Sequence, residues 1–147
     1  MAQYSVLIVD DEEEFREMTV KRLNKRDLAC ESAANGTLAL EMISAKNYDV
    51  VLLDIKMPGR DGVEILREIK KIAPMTEVVM LTGHASVESG INGIKYGAFD
   101  YLMKPIDLEL LFEKLNAANE HRQMQLAKLE KAQIKKDTIR PEAIWVN

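Results

Sequence analysis

Five residues of this sequence could do chemistry together. Asp10 and Asp11 follow the apolar run Val6-Leu7-Ile8-Val9, and Asp54 follows Val50-Val51-Leu52-Leu53. Thr82 follows Val78-Val79-Met80-Leu81, and Lys104 follows Tyr101-Leu102-Met103. Carboxylates forced together repel and raise one another's pKa unless a cation neutralises them. One or two direct carboxylates with retained waters are what Mg²⁺ prefers. A lysine beside such a site can neutralise an incoming anionic group, and a hydroxyl can donate to it. Each residue alone has an ordinary reading: Asp10-Asp11 as a helix cap, Asp54 as a turn residue, Thr82 as a cap, Lys104 as surface charge and Tyr101 as core. The joint occurrence of Asp10-Asp11, Asp54, Thr82 and Lys104, each at the end of an apolar run, outweighs their ordinary readings, while Tyr101 as plain core stays open.

The elements that must position them follow from periodicity. Tyr4–Val9, Tyr48–Leu53, Glu77–Leu81 and Ala98–Met103 read as apolar strands, and Leu28–Ala33 as a weaker one. Phe15, Met18, Thr19, Arg22 and Leu23 recur at helical spacing, which predicts an amphipathic helix over about residues 12–25. Its first turn carries Glu12, Glu13 and Glu14, favourable against the positive helix N-terminus. Asn35-Gly36 is a turn signal, and Thr37 is placed to cap the next helix, with Glu41 near a capping-box position. Val63, Ile65, Leu66, Ile69 and Ile72 form a third stripe, closed by Pro74. Residues 86–95 read as a helix despite Gly90 and Gly93, each costing up to ~1 kcal/mol relative to Ala. That poor propensity makes this helix a candidate mobile element, unless tertiary packing holds it. A last helix starts near Asp107 and carries Leu108, Leu111, Phe112, Leu115 and Ala118.

Five strands alternating with helices, three of the strands almost wholly apolar, predict an α/β fold: a doubly wound parallel sheet with helices on both faces. In such sheets ligands bind outside the carboxyl ends of the strands, where the strand order switches. That rule would gather Asp10, Asp11, Asp54, Thr82 and Lys104 on one edge.

Composition bounds the function classes. The 147 residues carry 20 Lys/Arg and 24 Asp/Glu, a net charge of −4, which argues against a dedicated nucleic-acid binder. The single Cys30 excludes a disulfide framework and reads as a small buried hydrophobe, and two histidines make a histidine-built zinc site improbable. No apolar run approaches a membrane span, and the start has no secretory pattern, so the expected compartment is the cytoplasm. Residues 120–147 hold six Lys/Arg and four Asp/Glu, a shift to basic after an acidic first part. We expect a globular unit at 1–119 and a charged helical extension and tail at 120–147, either a solvated helix or a linker to a partner. Trp145, in that tail, is given no role.

The constellation Asp10-Asp11, Asp54 with Met57-Pro58-Gly59 and Asp61-Gly62, Thr82, and Tyr101 with Lys104-Pro105 resembles the receiver domain of two-component response regulators. The resemblance covers about residues 4–119 and implies the strand order 2-1-3-4-5. It also implies a cytoplasmic phosphorelay protein in which Asp54 accepts a phosphoryl group from a sensor histidine kinase. Asp10 and Asp11 would hold Mg²⁺ with Asp54 and the backbone carbonyl of Lys56. Thr82 and Lys104 would bind phosphoryl oxygens, Thr82 and Tyr101 would form a switch, and the Lys104–Pro105 bond would be cis. Lys56 and His84 occupy positions that in the family tune hydrolysis of the phosphoaspartate. Such a domain catalyses its own phosphorylation and dephosphorylation but turns over no metabolite. Many of these domains dimerise through helix 4, strand 5 and helix 5, and the same is expected here.

Other classes fit less well. Metal-dependent phosphohydrolases on a similar sheet use Asp-x-Asp, which Asp54-Ile55-Lys56 breaks, and no segment is large enough for a substrate lid. A degenerate receiver used only for binding would have lost Asp54, the acid pair or Lys104. A nucleotide-binding loop after the first strand would be glycine-rich, whereas five acids stand there. No output domain is recognisable after residue 119. The chain is therefore either a stand-alone receiver or the N-terminal receiver fragment of a larger transcriptional regulator.

Overall fold

A computed structural model describes residues 3–83 and 87–138. Its elements run β1 (Ser5–Val9), α1 (Glu13–Asn24), β2 (Ala29–Ala33), α2 (Gly36–Ala45), β3 (Val50–Asp54), α3 (Gly62–Ile72), β4 (Glu77–Thr82), α4 (Val87–Lys95), β5 (Asp100–Met103) and α5 (Leu108–Thr138). The five strands form one parallel sheet, as the alternation of runs predicts, in the order β2-β1-β3-β4-β5 that the resemblance implies.

Alternation along the strands divides the core into two layers. Leu7, Val9, Val51, Leu53, Val78 and Met80 face one side, against Ala39 and Ile43 of α2 and Ile65, Leu66 and Ile69 of α3. Val6, Ile8, Val50, Leu52, Val79 and Leu81 face the other, against Leu23 of α1 and Leu111, Leu115 and Ala118 of α5. Strands covered on both faces have no use for polar alternation, which is why β1, β3 and β4 read as continuous apolar runs. Truncating one fully buried leucine of such a core typically costs ~2–5 kcal/mol.

Local departures from the expected boundaries have simple causes. The cap of α2 is Asn35 rather than Thr37. The extended Asn35 accepts at Oδ1 from the Leu38 N–H at 2.8 Å, so the helix begins at Gly36 and Glu41 lies too far along for a capping box. Strand β5 starts two residues later than expected, because the Ala98 N–H donates to the Gly93 carbonyl and closes α4 instead. Gly93 itself brings α4 onto the sheet: a Cβ there would stand 3.1 Å from Met80 Cγ. The glycine that weakens the helix by propensity thus lets it lie close against β4.

Helix α5 is 31 residues long and continues past residue 119 without a break. The first part of the extension is not merely solvated. Arg122 donates from Nε to Asp49 Oδ1 at 2.9 Å and from Nη1 to the Met75 carbonyl at 2.9 Å, and His121 Nδ1 lies 2.5 Å from Glu77 Oε2. These contacts tie α5 to the edge where β3 and β4 begin. Further along, Met124, Leu129 and Ile134 are exposed. Pro141, Trp145 and His84 lie outside the described residues.

Candidate functional site

The site grows from the carboxyl ends of β1, β3 and β4 and the start of the β5–α5 connection. Asp10 is the first residue after β1, and its backbone N–H donates to the Ala33 carbonyl at 3.2 Å, holding it beside β2. Asp54 ends β3 in register with Leu81 of β4, and the Ile55 N–H donates to the Leu81 carbonyl at 3.0 Å. The loop after Asp54 then folds back on itself: the Gly62 N–H donates to the Ile55 carbonyl at 3.2 Å. A Cβ on Gly62 would come within 2.6 Å of Ile55 Cα, so only glycine permits this return. Asp61 caps α3 by accepting from the Val63 N–H at 3.2 Å. The Asp61-Gly62 pair of the sequence motif therefore shapes the loop beneath the nucleophile candidate.

Four of the five chemistry-bearing residues meet. Asp10, Asp11 and Asp54 each offer a carboxylate oxygen, all within 4.8 Å of one another. Lys104 Nζ lies 2.8 Å from Asp10 Oδ2, 3.5 Å from Asp54 Oδ2 and 3.3 Å from Glu12 Oε1, with the Phe15 ring centroid at 4.7 Å. Asp10 and Asp54 are buried, whereas Asp11 is exposed at the mouth. Asp10 Oδ1 accepts from the Glu12 N–H at 2.9 Å, and Asp54 Oδ1 accepts from the Lys56 N–H at 3.2 Å.

Thr82 stands at the neighbouring strand end. Its backbone carbonyl accepts from the Lys104 N–H at 2.7 Å, which couples the two residues. Its hydroxyl donates to the Gly83 carbonyl at 3.0 Å rather than to Asp54. Tyr101 pairs in register with Met80, as Met103 does with Thr82, so Tyr101 and Thr82 share one face of the sheet. The Tyr101 ring is half-buried against the α2/α3 layer, with Lys114 Nζ 6.0 Å from its centroid. The Lys104–Pro105 peptide is cis, as expected.

The cluster gathers more negative than positive charge. Among the described residues, Lys104 is the only cation within 4 Å of the Asp10 and Asp54 carboxylates. Burial, and then the neighbouring Asp10 carboxylate, push the Asp54 carboxyl up to about 6 despite the pull of Lys104. Burial lowers the Lys104 ammonium, but the hydrogen bond to Asp10 and the charge of Asp54 outweigh it, so Lys104 lies above its ordinary value. An all-oxygen donor set with excess negative charge fits a hard divalent cation. The cluster could hold a metal through Asp10, Asp11 and Asp54.

Two contributors escape the sequence reading. Glu12 reaches Lys104, and Arg16 Nη1 donates to the Asp10 carbonyl at 2.9 Å. Both sit in a segment whose charges read simply as a helix N-terminus, and no spacing signal joins either to Lys104 or Asp10.

Residues 6–116 match the model of the response regulator receiver domain family. The chain belongs to that family. Among curated relatives, the DNA-binding transcriptional regulator NtrC of Escherichia coli (strain K12) is 37% identical over 120 residues, which are 82% of this chain and 26% of that protein. An NtrX-like response regulator of Rickettsia felis is 41% identical over 122 residues, with the same coverage of 82% and 26%. The receiver domain of NtrX from Brucella abortus superposes with a TM-score of 0.75 at 33% identity, covering 78% of this chain and 98% of that one. This receiver domain thus spans about a quarter of the length of the curated relatives it matches. Among the described residues, no helix is long and apolar enough to cross a membrane.

Proposed function

We propose that the chain is a phosphorylation-dependent signalling receiver whose phosphoacceptor is Asp54. The observation that carries this reading is the meeting of Asp54 with Asp10, Asp11 and Lys104, residues distant in sequence, at one strand edge. The donor is a phosphohistidine on a sensor histidine kinase. A carboxylate oxygen of Asp54 forms the new P–O bond while the donor P–N bond breaks. The bonding pair leaves on the imidazole nitrogen, which takes up a proton. Hydrolysis reverses the role of Asp54: a water oxygen attacks phosphorus and the carboxylate leaves.

Phosphoryl transfer has a loose transition state, so positioning and charge neutralisation supply the catalysis. Asp10, Asp11 and Asp54, with the backbone carbonyl of Lys56, are the residues that would hold Mg²⁺. Mg²⁺, when bound, offsets the charge gathered between the nucleophile and the phosphoryl oxygens. Lys104 would neutralise a phosphoryl oxygen. The Thr82 hydroxyl turns from the Gly83 carbonyl to a phosphoryl oxygen, and Tyr101, on the same sheet face, moves into the space released. This gives a two-state element biased by a modification.

The output is a protein surface. Helices α4 and α5 flank the edge strand β5 and expose Ile91, Ile94 and Leu110, which supports a homodimer through this face. Residues 1–119 form the receiver unit, acting in the cytoplasm, and 120–147 form an extension. The matched relatives are far longer, which supports a place as the N-terminal receiver of a larger transcriptional regulator. Sedimentation with and without phosphodonor tests the dimer, and an unchanged monomer contradicts it. The acceptor is tested by incubation with acetyl phosphate and Mg²⁺ followed by intact mass. One added phosphoryl group is expected, and none in Asp54→Asn or in excess chelator. Unmodified wild type, or phosphorylated Asp54→Asn, overturns the assignment.

A further inference from the structure

Lys104 is shared in an uneven way. Its ammonium lies between two carboxylates of the cluster, Asp10 and Asp54, but a third, Glu12, holds it from outside at 3.3 Å. The Glu12 side chain does not cap the helix it precedes. Glu12 occupies the N-cap of α1, where glutamate is a poor cap, and its side chain makes no capping hydrogen bond. Its backbone N–H is satisfied by Asp10 Oδ1 instead. Its side chain is 65% exposed, so it can leave Lys104 without repacking the core. The Phe15 ring closes another side of the ammonium, which restricts the directions Lys104 can take when released.

We propose that Glu12 is a positioning residue that competes with the phosphoryl group for Lys104, and so sets how readily Asp54 is phosphorylated. The inference rests on the phosphoacceptor reading above. An arriving phosphoryl group brings two anionic charges to the ammonium, and the Lys104–Glu12 pair must loosen before Lys104 can neutralise them. An exposed ion pair of this kind restrains the lysine by a factor of about 2–5.

The test uses the full chain with acetyl phosphate at saturating Mg²⁺, following the rate of phosphoryl addition by intact mass. Glu12→Ala removes both charge and reach. Glu12→Asp keeps the charge but is one methylene too short to hold Lys104. Glu13→Ala removes the same charge from the next residue, which is exposed. Competition for Lys104 predicts a rise of about 2–5-fold in Glu12→Ala and in Glu12→Asp, with a rate close to wild type in Glu13→Ala. A second readout needs no turnover: beryllium fluoride, a tetrahedral phosphoryl mimic, binds both Glu12 variants more tightly by the same factor. Equal effects of Glu12→Ala and Glu13→Ala, or a Glu12→Asp that behaves like wild type, would reduce the role to a general charge field and overturn the proposal. So would unchanged rates in all three variants while wild type accepts the phosphoryl group. A wild type that accepts none overturns the phosphoacceptor reading itself, and this inference with it.

Discussion

The two ends of the sheet hold similar residue types and treat them in opposite ways. Where β1, β3 and β4 begin, carboxylates are fully answered. Asp49 accepts from the Ser5 N–H at 2.8 Å, the Ser5 hydroxyl at 3.1 Å and Arg122 Nε at 2.9 Å. Burial pushes its carboxyl up, yet the Ser5 and Arg122 bonds outweigh it and hold it below the ordinary value. Glu77 has both Lys70 at 3.6 Å and His121 at 2.5 Å. At the opposite end, Asp10, Asp54 and Glu12 share one lysine, Lys104, and Asp54 is pushed up to about 6. A closed set of partners is how a fold anchors an element, here helix α5. An open set tolerates a cost to stability, which suits the proposed binding of a cation and an anionic group there.

The largest effect expected from breaking this contrast is on pH dependence. The Asp54 carboxyl is raised in the folded state from 3.8 to about 6. The folded chain therefore binds that proton more tightly than the unfolded chain. Stability falls as pH rises from about 4 to about 6 and stays lower above, by about 2–3 kcal/mol for a shift of this size. Urea unfolding at a series of pH values in chelator should show this slope, and Asp54→Asn should remove it and stabilise the protein at pH 8. A variant no more stable than wild type at pH 8 would mean that the top end is as well compensated as the base.

The reverse is expected at the base. Arg122→Ala leaves Asp49 and the Met75 carbonyl short of a donor and should destabilise by about 2 kcal/mol at neutral pH. The urea midpoint measures it. Phosphorylation of Asp54 should remain, since the site lies at the other end of the strands. The smallest effect belongs to neither end. Lys46 and Glu31 form an exposed pair at 2.9 Å. Lys46→Ala should cost about 0.5 kcal/mol or less, which sets the baseline against which both ends are read.

Much of this was visible in the sequence, because the fold turns apolar runs into buried strands and places their ends side by side. Asp10, Asp11, Asp54 and Lys104 could be assigned to one edge from the order of runs alone, and so could the strand order once the family pattern was seen. What escaped was non-local pairing. Nothing in the spacing of Arg122 and Asp49, or of His121 and Glu77, announces a contact, since each exists only once α5 has crossed to the far edge of the sheet. Helical periodicity beyond residue 120 is weak in apolar residues, so the polar anchors read as solvated charge. Glu12 was hidden because three consecutive glutamates look alike in sequence, and only the first reaches Lys104. Gly93 read as a flaw in α4 because propensity ignores the neighbour, Met80, that a side chain there would crowd.

The central proposal is that Asp10, Asp11 and Asp54 hold a divalent cation at the carboxyl ends of the strands. Calorimetric titration of the full chain with MgCl₂ at pH 8 tests it most directly. One ion per chain is expected, with affinity lost or much weakened in Asp11→Asn and in Asp54→Asn and unchanged in Arg122→Ala. Absence of binding, or binding indifferent to Asp11 and Asp54, would contradict it, for then Lys104 alone would balance those charges.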